Sequence, residues 1–353
     1  MQFDRKTKMT TALSAIAYAG FLRRRPQKIR ENLKIALESE AFKPYTGSKE
    51  LIWGPAVHRS LWFNDALMFV VHDRDDDEYT LVIRGTNPVS LAAWLFQDFW
   101  IGFMCCWKRK LCGGNAKISL AARIALYFHT RMKPARGLPG AGMRLLRFLR
   151  TLARRTKDEI RLNVTGHSLG GLMASTLALL LHDKMRLGRL RDIFSIHAYS
   201  YGAPTAGNRA FAEYTEEALN RSGERFKLVR YCNTHDIASL VWNPDNMDKL
   251  KDLYRPAGIE MNDAERLLLS VMRGAVGRKD YMQPGTAREL KGEIKYFLQG
   301  RYLDQALHQH IVPYISHIFE VSDLQAANML IAVFRGEPLD DERGRDEDGS
   351  LKR

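Results

Sequence analysis

The stretch from Ile160 to Leu181 reads IRLNVTGHSLGGLMASTLALLL, and the interpretation of the whole chain starts from it. Its first residues form a short apolar run that is typical of a buried strand, and its last part is apolar enough for a buried helix. Between them, three glycines surround a single serine in the order Gly166-x-Ser168-x-Gly170-Gly171. The segment therefore predicts a strand, a very tight turn and a helix.

This pattern is typical of the nucleophile elbow of serine hydrolases. Glycines on either side of the serine let the chain turn so tightly that the serine hydroxyl projects above the sheet. The alternative is a glycine-rich helix N-terminus that serves only close packing. A strand before the motif and an apolar helix after it favour the elbow, with Ser168 as the candidate nucleophile.

The flanking sequence predicts the rest of a sheet. Two β-rich runs, Ala66–His72 and Tyr79–Arg84, enclose the acidic turn DRDDD and predict a hairpin. Further strands are predicted at Ile160–Val164, Ile193–Tyr199 and Phe226–Cys232, and helices at Ser119–Met132, Leu172–Met185 and Arg209–Asn220. Strands that alternate with helices form mostly parallel sheets covered by helices on both faces. The predicted fold class is therefore α/β.

A serine nucleophile needs a general base and an acid that orients the base. In hydrolases built on such a sheet, the acid and then the histidine follow the serine along the chain. Asp236 comes just after the predicted strand Phe226–Cys232, at the edge where ligands bind to open α/β sheets. After Asp236 the chain has three histidines, His308, His310 and His317, and chain order alone allows each of them to be the base.

The composition fits an ordinary globular protein, since 45% of the 353 residues are hydrophobic and 27% are charged. The 54 Lys and Arg residues exceed the 40 Asp and Glu residues and give a net charge of +14. Such an excess predicts an anionic partner, either a membrane surface or nucleic acid. No recognised nucleic-acid-binding module accompanies the charge, so no nucleic-acid partner is expected. No apolar run is long enough to predict a transmembrane helix.

The four cysteines, Cys105, Cys106, Cys112 and Cys232, are too irregularly spaced for a disulfide framework or a zinc site and are interpreted as ordinary thiols. The early apolar stretch Thr11–Phe21 is followed by three arginines, where a signal peptide would have small, uncharged residues. A first amphipathic helix is predicted there instead. The protein is accordingly expected in the cytoplasm, where it can be peripheral to a membrane, or outside the cell after non-classical export.

Several segments together resemble the class 3 lipases, the fungal-type triacylglycerol lipases of the α/β-hydrolase superfamily. Five landmarks stand in the family's order over roughly residues 68–314: LVIRGT at 81–86, TGHSLGG at 165–171, GAPTAGN at 202–208, NTHD at 233–236 and YMQPG at 281–285. The joint occurrence of these landmarks in one order is highly specific.

The resemblance implies an α/β-hydrolase fold and a serine carboxylester hydrolase that cleaves acyl esters of glycerolipids, as a lipase or a phospholipase does. It implies Ser168 as the nucleophile and Asp236 as the orienting acid. It also implies an oxyanion hole formed by Thr86 and by the backbone amide of Leu169. This chemistry requires no cofactor and no metal ion.

The base is less well defined by the resemblance. The family's histidine usually stands three or five residues before an aromatic side chain, whereas His310 precedes Tyr314 by four residues and His308 precedes it by six. We select His310, because Ile311, Val312 and Tyr314 can pack to hold its imidazole ring. His308 is the main alternative, and the last histidine of the chain is a lesser one.

Two segments suggest a lipid surface as a partner. Residues 87–113 begin with a dense apolar and aromatic run that includes Trp94 and Trp100, and the resemblance implies a lid there; the alternative is a buried helix. Residues 143–157, MRLLRFLRTLARRTK, predict a helix with leucines on one face and arginines over the rest. Aromatic and basic residues together suit an anionic membrane surface, although such a charge run can also be a solvated outer face.

The predicted layout is one α/β-hydrolase domain over residues 1–337, with the lid at about 87–113, a helical insertion at about 242–304 and extra C-terminal helices. Residues 338–353 are rich in charge and predict a disordered tail. The leading hypothesis is the Ser-Asp-His ester hydrolase. The alternative is a lipase-like scaffold that binds membrane or protein partners without turnover.

Overall fold

The computed structural model of the protein describes residues 2–59, 64–85, 99–107, 114–185, 190–221, 223–277, 279–295 and 301–336. Outside these ranges lie Thr86, the lid residues 87–98 and 108–113, and the charged tail.

The strands are β1 (Lys49–Arg59), β2 (Asn64–Asp73), β3 (Glu78–Ile83), β4 (Met104–Cys106), β5 (Lys117–Ser119), β6 (Ile160–His167), β7 (Phe194–Tyr201), β8 (Gly207–Asn208), β9 (Phe226–Asn233), β10 (Tyr281–Met282) and β11 (Arg288–Leu290). The helices are α1 (Arg5–Ile16), α2 (Pro26–Glu38), α3 (Lys43–Thr46), α4 (Leu120–Arg131), α5 (Leu145–Ala153), α6 (Leu169–Met185), α7 (Leu190–Ile193), α8 (Arg209–Asn220), α9 (Ile237–Leu240), α10 (Pro244–Met247), α11 (Asp263–Val276), α12 (Tyr302–Phe319) and α13 (Asp323–Arg335). Short 3₁₀ helices cover Phe99–Gly102, Leu250–Asp252 and Arg255–Ala257.

A seven-stranded sheet in the order β1-β2-β3-β6-β7-β9-β11 forms the centre of the described structure. The predicted hairpin is confirmed, since β2 and β3 pair antiparallel from Met68 opposite Ile83 to Asp73 opposite Glu78. From β3 onward all neighbours are parallel: β3 with β6, β6 with β7, β7 with β9, and β9 with β11. The mostly parallel α/β fold expected from the sequence is therefore present.

Both faces of this sheet are covered by helices. Side chains along β2 alternate between two hydrophobic clusters, with Leu67, Phe69 and Val71 in one and Met68 and Val70 in the other. The first cluster lies against α1, α2, α12 and α13, and the second lies against α4, α5, α6 and α8. A strand whose two faces are both buried reads as a continuous apolar run, which explains the ALMFVV stretch of this strand.

The first helix differs from its prediction. Instead of an amphipathic helix over the stretch from residue 11 to residue 21, α1 begins at Arg5 and is buried over most of its surface against β6 and α12. Its hydroxyl groups can be buried because they have partners on the sheet. Thr10 Oγ1 lies 2.7 Å from the hydroxyl of Tyr201, and Ser14 Oγ lies 2.8 Å from Thr165 Oγ1.

The segment predicted as a helical insertion also contains strands. In addition to α10 and α11, it contributes β10, which joins a small antiparallel sheet in the order β10-β8-β5-β4, and β11, which extends the central sheet beside β9. A strand of three residues, such as Arg288–Leu290, is too short to leave a periodic signal in the sequence.

The described part of the predicted lid, residues 99–107, is held in place by its neighbours. The hydroxyl of Tyr281 donates to the carbonyl of Ile101 at 2.7 Å, and β4 pairs with β5. Trp107 is buried, with its ring edge-on to Phe211 at a centroid distance of 5.3 Å.

Strands β3, β6, β7 and β9 end at one edge of the sheet. The register aligns Ile83 with Gly166, Gly166 with Ser200, and Tyr201 with Tyr231. The loops after these strands are therefore neighbours, and they carry the candidate site residues. Within the described ranges, no helix combines the length and the apolar character needed to span a bilayer.

Candidate active site

The predicted elbow joins β6 to α6. Ser168 stands between them with a φ of 61°, in the left-handed region that residues with a side chain rarely adopt. Its amide donates to the carbonyl of Tyr201 on β7 at 2.8 Å, which ties the turn to the sheet. A left-handed serine at the end of a central strand is the geometry that the Gly-x-Ser-x-Gly motif predicts.

The two motif glycines are required because the backbone of β3 lies directly against the turn. A Cβ on Gly170 would lie 2.3 Å from the carbonyl oxygen of Ile83 and 2.8 Å from the amide nitrogen of Gly85. A Cβ on Gly166 would lie 2.4 Å from the carbonyl of Gly170. Both contacts are shorter than any side chain allows, so this approach needs glycine at both positions.

Asp236 lies in the turn after β9 and is fully buried. Its carboxylate caps the short helix α9 by accepting from the amide of Ala238 at 2.8 Å and from the hydroxyl of Ser239 at 3.2 Å. The hydroxyl of Tyr314, on α12, donates at 2.7 Å to Oδ2, the oxygen that also accepts from Ser239. Burying a carboxylate without donors of this kind is costly.

His310 is the histidine that the structure brings to this carboxylate. Its Nδ1 lies 2.9 Å from Asp236 Oδ1, and the side chain is 2% exposed. Its Nε2 and the Oγ of Ser168 are both buried, and within the described residues neither has a hydrogen-bond partner. Both residues line the same small cavity of about 30 Å³, which can hold about one or two water molecules.

The other two histidines of the C-terminal part lie elsewhere on α12. His308 Nε2 is 3.5 Å from a carboxylate oxygen of Asp323, at the start of α13. Burial lowers the pKa of His308 and that of His317. Of the three histidines left open by chain order, the described structure therefore brings one, His310, to Asp236.

A proline inside α12 helps to fix this histidine. Pro313 has no amide hydrogen, so the carbonyl of Gln309, four residues earlier, is free of its usual helix hydrogen bond. The side-chain amide of Asn233 donates to that carbonyl at 2.7 Å. Asn233 is the first residue of the acid turn, residues 233–236. This bond therefore joins the helix that carries His310 directly to the turn that carries Asp236.

The histidine inside the elbow, His167, also contacts this helix. His167 Nε2 lies 2.7 Å from the backbone carbonyl of His310, and the two rings are 4.5 Å apart. The Nδ1 of His167 faces the hydroxyl of Tyr18 at 3.4 Å. Burial and the neighbouring imidazole of His310 lower the pKa of His167 to about 3. A neutral ring with its hydrogen on Nε2 is therefore the donor to the His310 carbonyl.

Of the two residues implied for the oxyanion hole, Leu169 lies within the described residues and Thr86 does not. Leu169 is the first residue of α6, so its amide has no acceptor within its own helix and lies at the positive end of the helix dipole. Thr86 lies outside the described residues. The residue before it, Gly85, lies against the elbow, since a Cβ there would come within 3.2 Å of Ser168 Cβ.

Sequence reasoning missed several residues that support this site. It used Tyr314 only as packing, whereas the hydroxyl of Tyr314 bonds to Asp236. It gave no role to His167, Asn233 or Pro313. A proline in a predicted helix is a readable signal, but the partner of the carbonyl that it frees is visible only in three dimensions. Among the described residues, no cluster of three or more His, Cys, Asp or Glu side chains could hold a metal ion.

Comparison with known proteins adds an independent observation. A family model described as Lipase (class 3) matches residues 80–244. The solved crystal structure of M37 lipase aligns with 95% of this chain and 99% of its own, at 30% sequence identity and a TM-score of 0.81. The chain belongs to the class 3 lipase family. The α/β-hydrolase fold expected from the resemblance is thereby confirmed.

Two curated relatives from Arabidopsis thaliana match a shorter segment. The chloroplastic phospholipase A1-Igamma1 is 33% identical over 86 residues, which are 23% of this chain and 15% of the relative. Triacylglycerol lipase OBL1 is 35% identical over 79 residues, 22% of this chain and 14% of the relative. The match thus spans about a seventh of each curated relative. Membership of the class 3 lipases supports the hydrolysis of lipid esters.

The close contact at the elbow leads to a stability prediction. We expect Gly170→Ala to destabilise the protein by about 3 kcal/mol or more, because the new methyl group would displace the backbone of β3. Gly274→Ala is the matched control, since Gly274 lies in helix α11 and a Cβ there meets no described atom within 4 Å. That control should be neutral or stabilise by up to about 1 kcal/mol. Urea unfolding measures both, and equal effects would contradict the contact.

Proposed function

We propose that the chain is a serine carboxylester hydrolase that cleaves acyl esters of glycerolipids, with Ser168, His310 and Asp236 as its catalytic triad. The observation that carries the proposal is the buried 2.9 Å hydrogen bond between His310 Nδ1 and Asp236 Oδ1, on the wall of the cavity that Ser168 also lines. Membership of the class 3 lipases supports the lipid ester as the bond that is cleaved.

In the proposed reaction, His310 Nε2 takes the proton of Ser168 as the serine oxygen attacks the ester carbonyl carbon. The imidazolium then gives this proton to the departing glycerol oxygen, and the acyl group stays on Ser168. Water, deprotonated by the same nitrogen, then attacks the acyl carbon. The bond from this carbon to Ser168 Oγ breaks, the imidazolium returns its proton to Oγ, and the fatty acid is released. Asp236 stays ionised throughout, keeps the imidazole hydrogen on Nδ1 and stabilises the imidazolium.

The developing oxyanion needs donors that are in place before the reaction. We assign one of them to the backbone amide of Leu169, at the N-terminus of α6. The second is the amide and hydroxyl of Thr86. The contact between Gly85 and the elbow supports this assignment, because it brings the chain to the nucleophile one residue before Thr86.

The substrate class follows from what the relatives share. One curated relative is named a phospholipase A1 and another a triacylglycerol lipase. Both names describe cleavage of a fatty acyl ester of a glycerolipid, and the proposal for this chain is made at that level.

The triad assignment predicts a steep loss of activity on a soluble p-nitrophenyl acyl ester. We expect Ser168→Ala, His310→Ala and Asp236→Asn each to lower kcat by about 10⁴-fold or more, because each leaves only the catalysis of the oxyanion hole and of substrate binding. The measurement is steady-state kinetics on purified variants with native circular dichroism.

The control for this series lies on the same helix. His308→Ala removes an imidazole two residues from His310, but one that faces Asp323, so kcat should stay within about twofold of wild type. A large loss in His308→Ala with activity retained in His310→Ala would transfer the role of the base. Retained activity in both would contradict the triad.

The hydrogen bond from His167 to the backbone carbonyl of His310 gives a second kinetic prediction. We expect His167→Leu to lower kcat by about 10- to 100-fold with little change in KM, because the backbone of His310 loses its donor and the base is misplaced. His167→Gln keeps an N–H group near the position of Nε2 and should recover most of the loss.

The matched control is His197, whose Nε2 also lies near a backbone carbonyl, that of Glu224 at 3.0 Å, but far along β7 from the elbow. His197→Leu should leave kcat unchanged. If His167→Gln is as impaired as His167→Leu, the hydrogen bond to His310 is not what positions the base.

A further inference from the structure

A basic groove lies on the side of the sheet that carries α4, α5 and α6. Its volume is about 720 Å³. On α6 its lining runs from Leu177 to Lys184, which places it about 12–22 Å along the helix from the elbow at the rise of 1.5 Å per residue. The groove is therefore separate from the cavity at Ser168.

Leucines form the floor of this groove. Leu126, Leu145 and Leu177 are buried, whereas Leu146 and Leu180 are half-buried and keep apolar surface open to the groove. A half-buried leucine floor offers a place for hydrocarbon, which gains free energy when it leaves water.

Seven cationic side chains, all exposed, form the walls. They are Arg123, Arg131, Lys133, Arg144, Arg147, Arg150 and Lys184. None of the seven makes an ion pair within the part of the chain that the structure describes, and no carboxylate is among the described residues of the lining. Like charges gathered around one groove repel each other, and an anion placed between them relieves that repulsion.

We propose that this groove binds an anionic phospholipid of a membrane surface, with its phosphate among the arginines and its hydrocarbon against the leucine floor. Nucleic acid matches the walls but not the floor, because it carries no hydrocarbon chain, and an acidic peptide offers the floor only short side chains in place of an acyl chain. The lipid held there is an anchor and not a substrate, since it lies far from Ser168. The proposal rests on the proposed function only in placing the enzyme at a lipid surface.

The structure also divides the basic segment 143–157 into two parts. Arg144, Arg147 and Arg150 line the groove, whereas Arg154 and Arg155 do not. This division supplies two triple variants that remove the same charge from the same segment: Arg144→Gln with Arg147→Gln and Arg150→Gln, and Arg154→Gln with Arg155→Gln and Lys157→Gln.

The test is binding of the full chain, in a Ser168→Ala background, to vesicles of phosphatidylcholine with and without phosphatidylglycerol at physiological ionic strength. We expect the groove triple variant to bind the anionic vesicles about 100-fold more weakly, from roughly fivefold for each charge. The control triple variant should lose less than about tenfold. Equal losses in the two variants would overturn the proposal, because the attraction would then belong to the net charge and not to the groove.

The floor is tested separately by Leu146→Asn with Leu180→Asn. This change should weaken binding to the anionic vesicles and leave the weak binding of inorganic phosphate unaltered. Binding of a single-stranded oligonucleotide that exceeds vesicle binding, and that the leucine changes do not affect, would overturn the proposal in favour of nucleic acid. Vesicle binding unaffected by the leucine changes would also overturn it.

The result of the vesicle-binding test does not depend on catalysis by Ser168. Hydrolysis of the soluble ester should be unchanged when the groove variants are made with Ser168 present, because none of these residues touches the cavity at the elbow. Failure of the proposed function would abolish that hydrolysis and leave vesicle binding as it is.

Discussion

The hydrogen bond between His310 Nδ1 and Asp236 Oδ1 is the interaction on which the candidate site depends. Both groups are buried, and a buried carboxylate or imidazole without its partner is costly. The donors around Asp236, which include the hydroxyl of Tyr314, and the bond between Asn233 and the carbonyl of Gln309 all hold this pair in one geometry. Because Asp236 lies in the turn after β9 and His310 lies on α12, the pair also fastens α12 to the central sheet.

His310, the proposed base, lies within a helix, so its backbone is held rigidly and its position cannot be adjusted without the helix. Helix α12 carries His310 and Tyr314 one turn apart, so both reach the same carboxylate. Pro313 frees one carbonyl of this helix for Asn233, and the carbonyl of His310 itself faces His167. The acid turn and the elbow therefore each contact the backbone beside the base. A rigid site of this kind suits catalysis, in which donors and bases are in place before the substrate arrives.

The sequence was sufficient to predict five of the seven strands of the central sheet and two residues of the proposed triad, because these features leave local signals. The hairpin, the parallel strands and helix α8 follow from apolar periodicity and turn residues, and Ser168 and Asp236 from motifs at strand ends. Which of three histidines meets Asp236 was not decidable from chain order, since it depends on how α12 docks on α13 and the sheet. The burial of α1 was likewise hidden, because its hydroxyls meet partners such as Tyr201, 191 positions away along the chain. Thr86 remains a prediction, as do the roles assigned to the triad.

The central claim is that His310, oriented by Asp236, activates Ser168. Labelling by a fluorophosphonate probe tests it most directly, because the probe reacts only with an activated serine and needs neither a lipid substrate nor a membrane. We expect the wild type to carry a single adduct that peptide mass spectrometry places on Ser168, and the His308→Ala variant to label at the wild-type rate. His310→Ala should label slower by orders of magnitude. Labelling of His310→Ala at the wild-type rate, or an adduct on another residue, would contradict the claim.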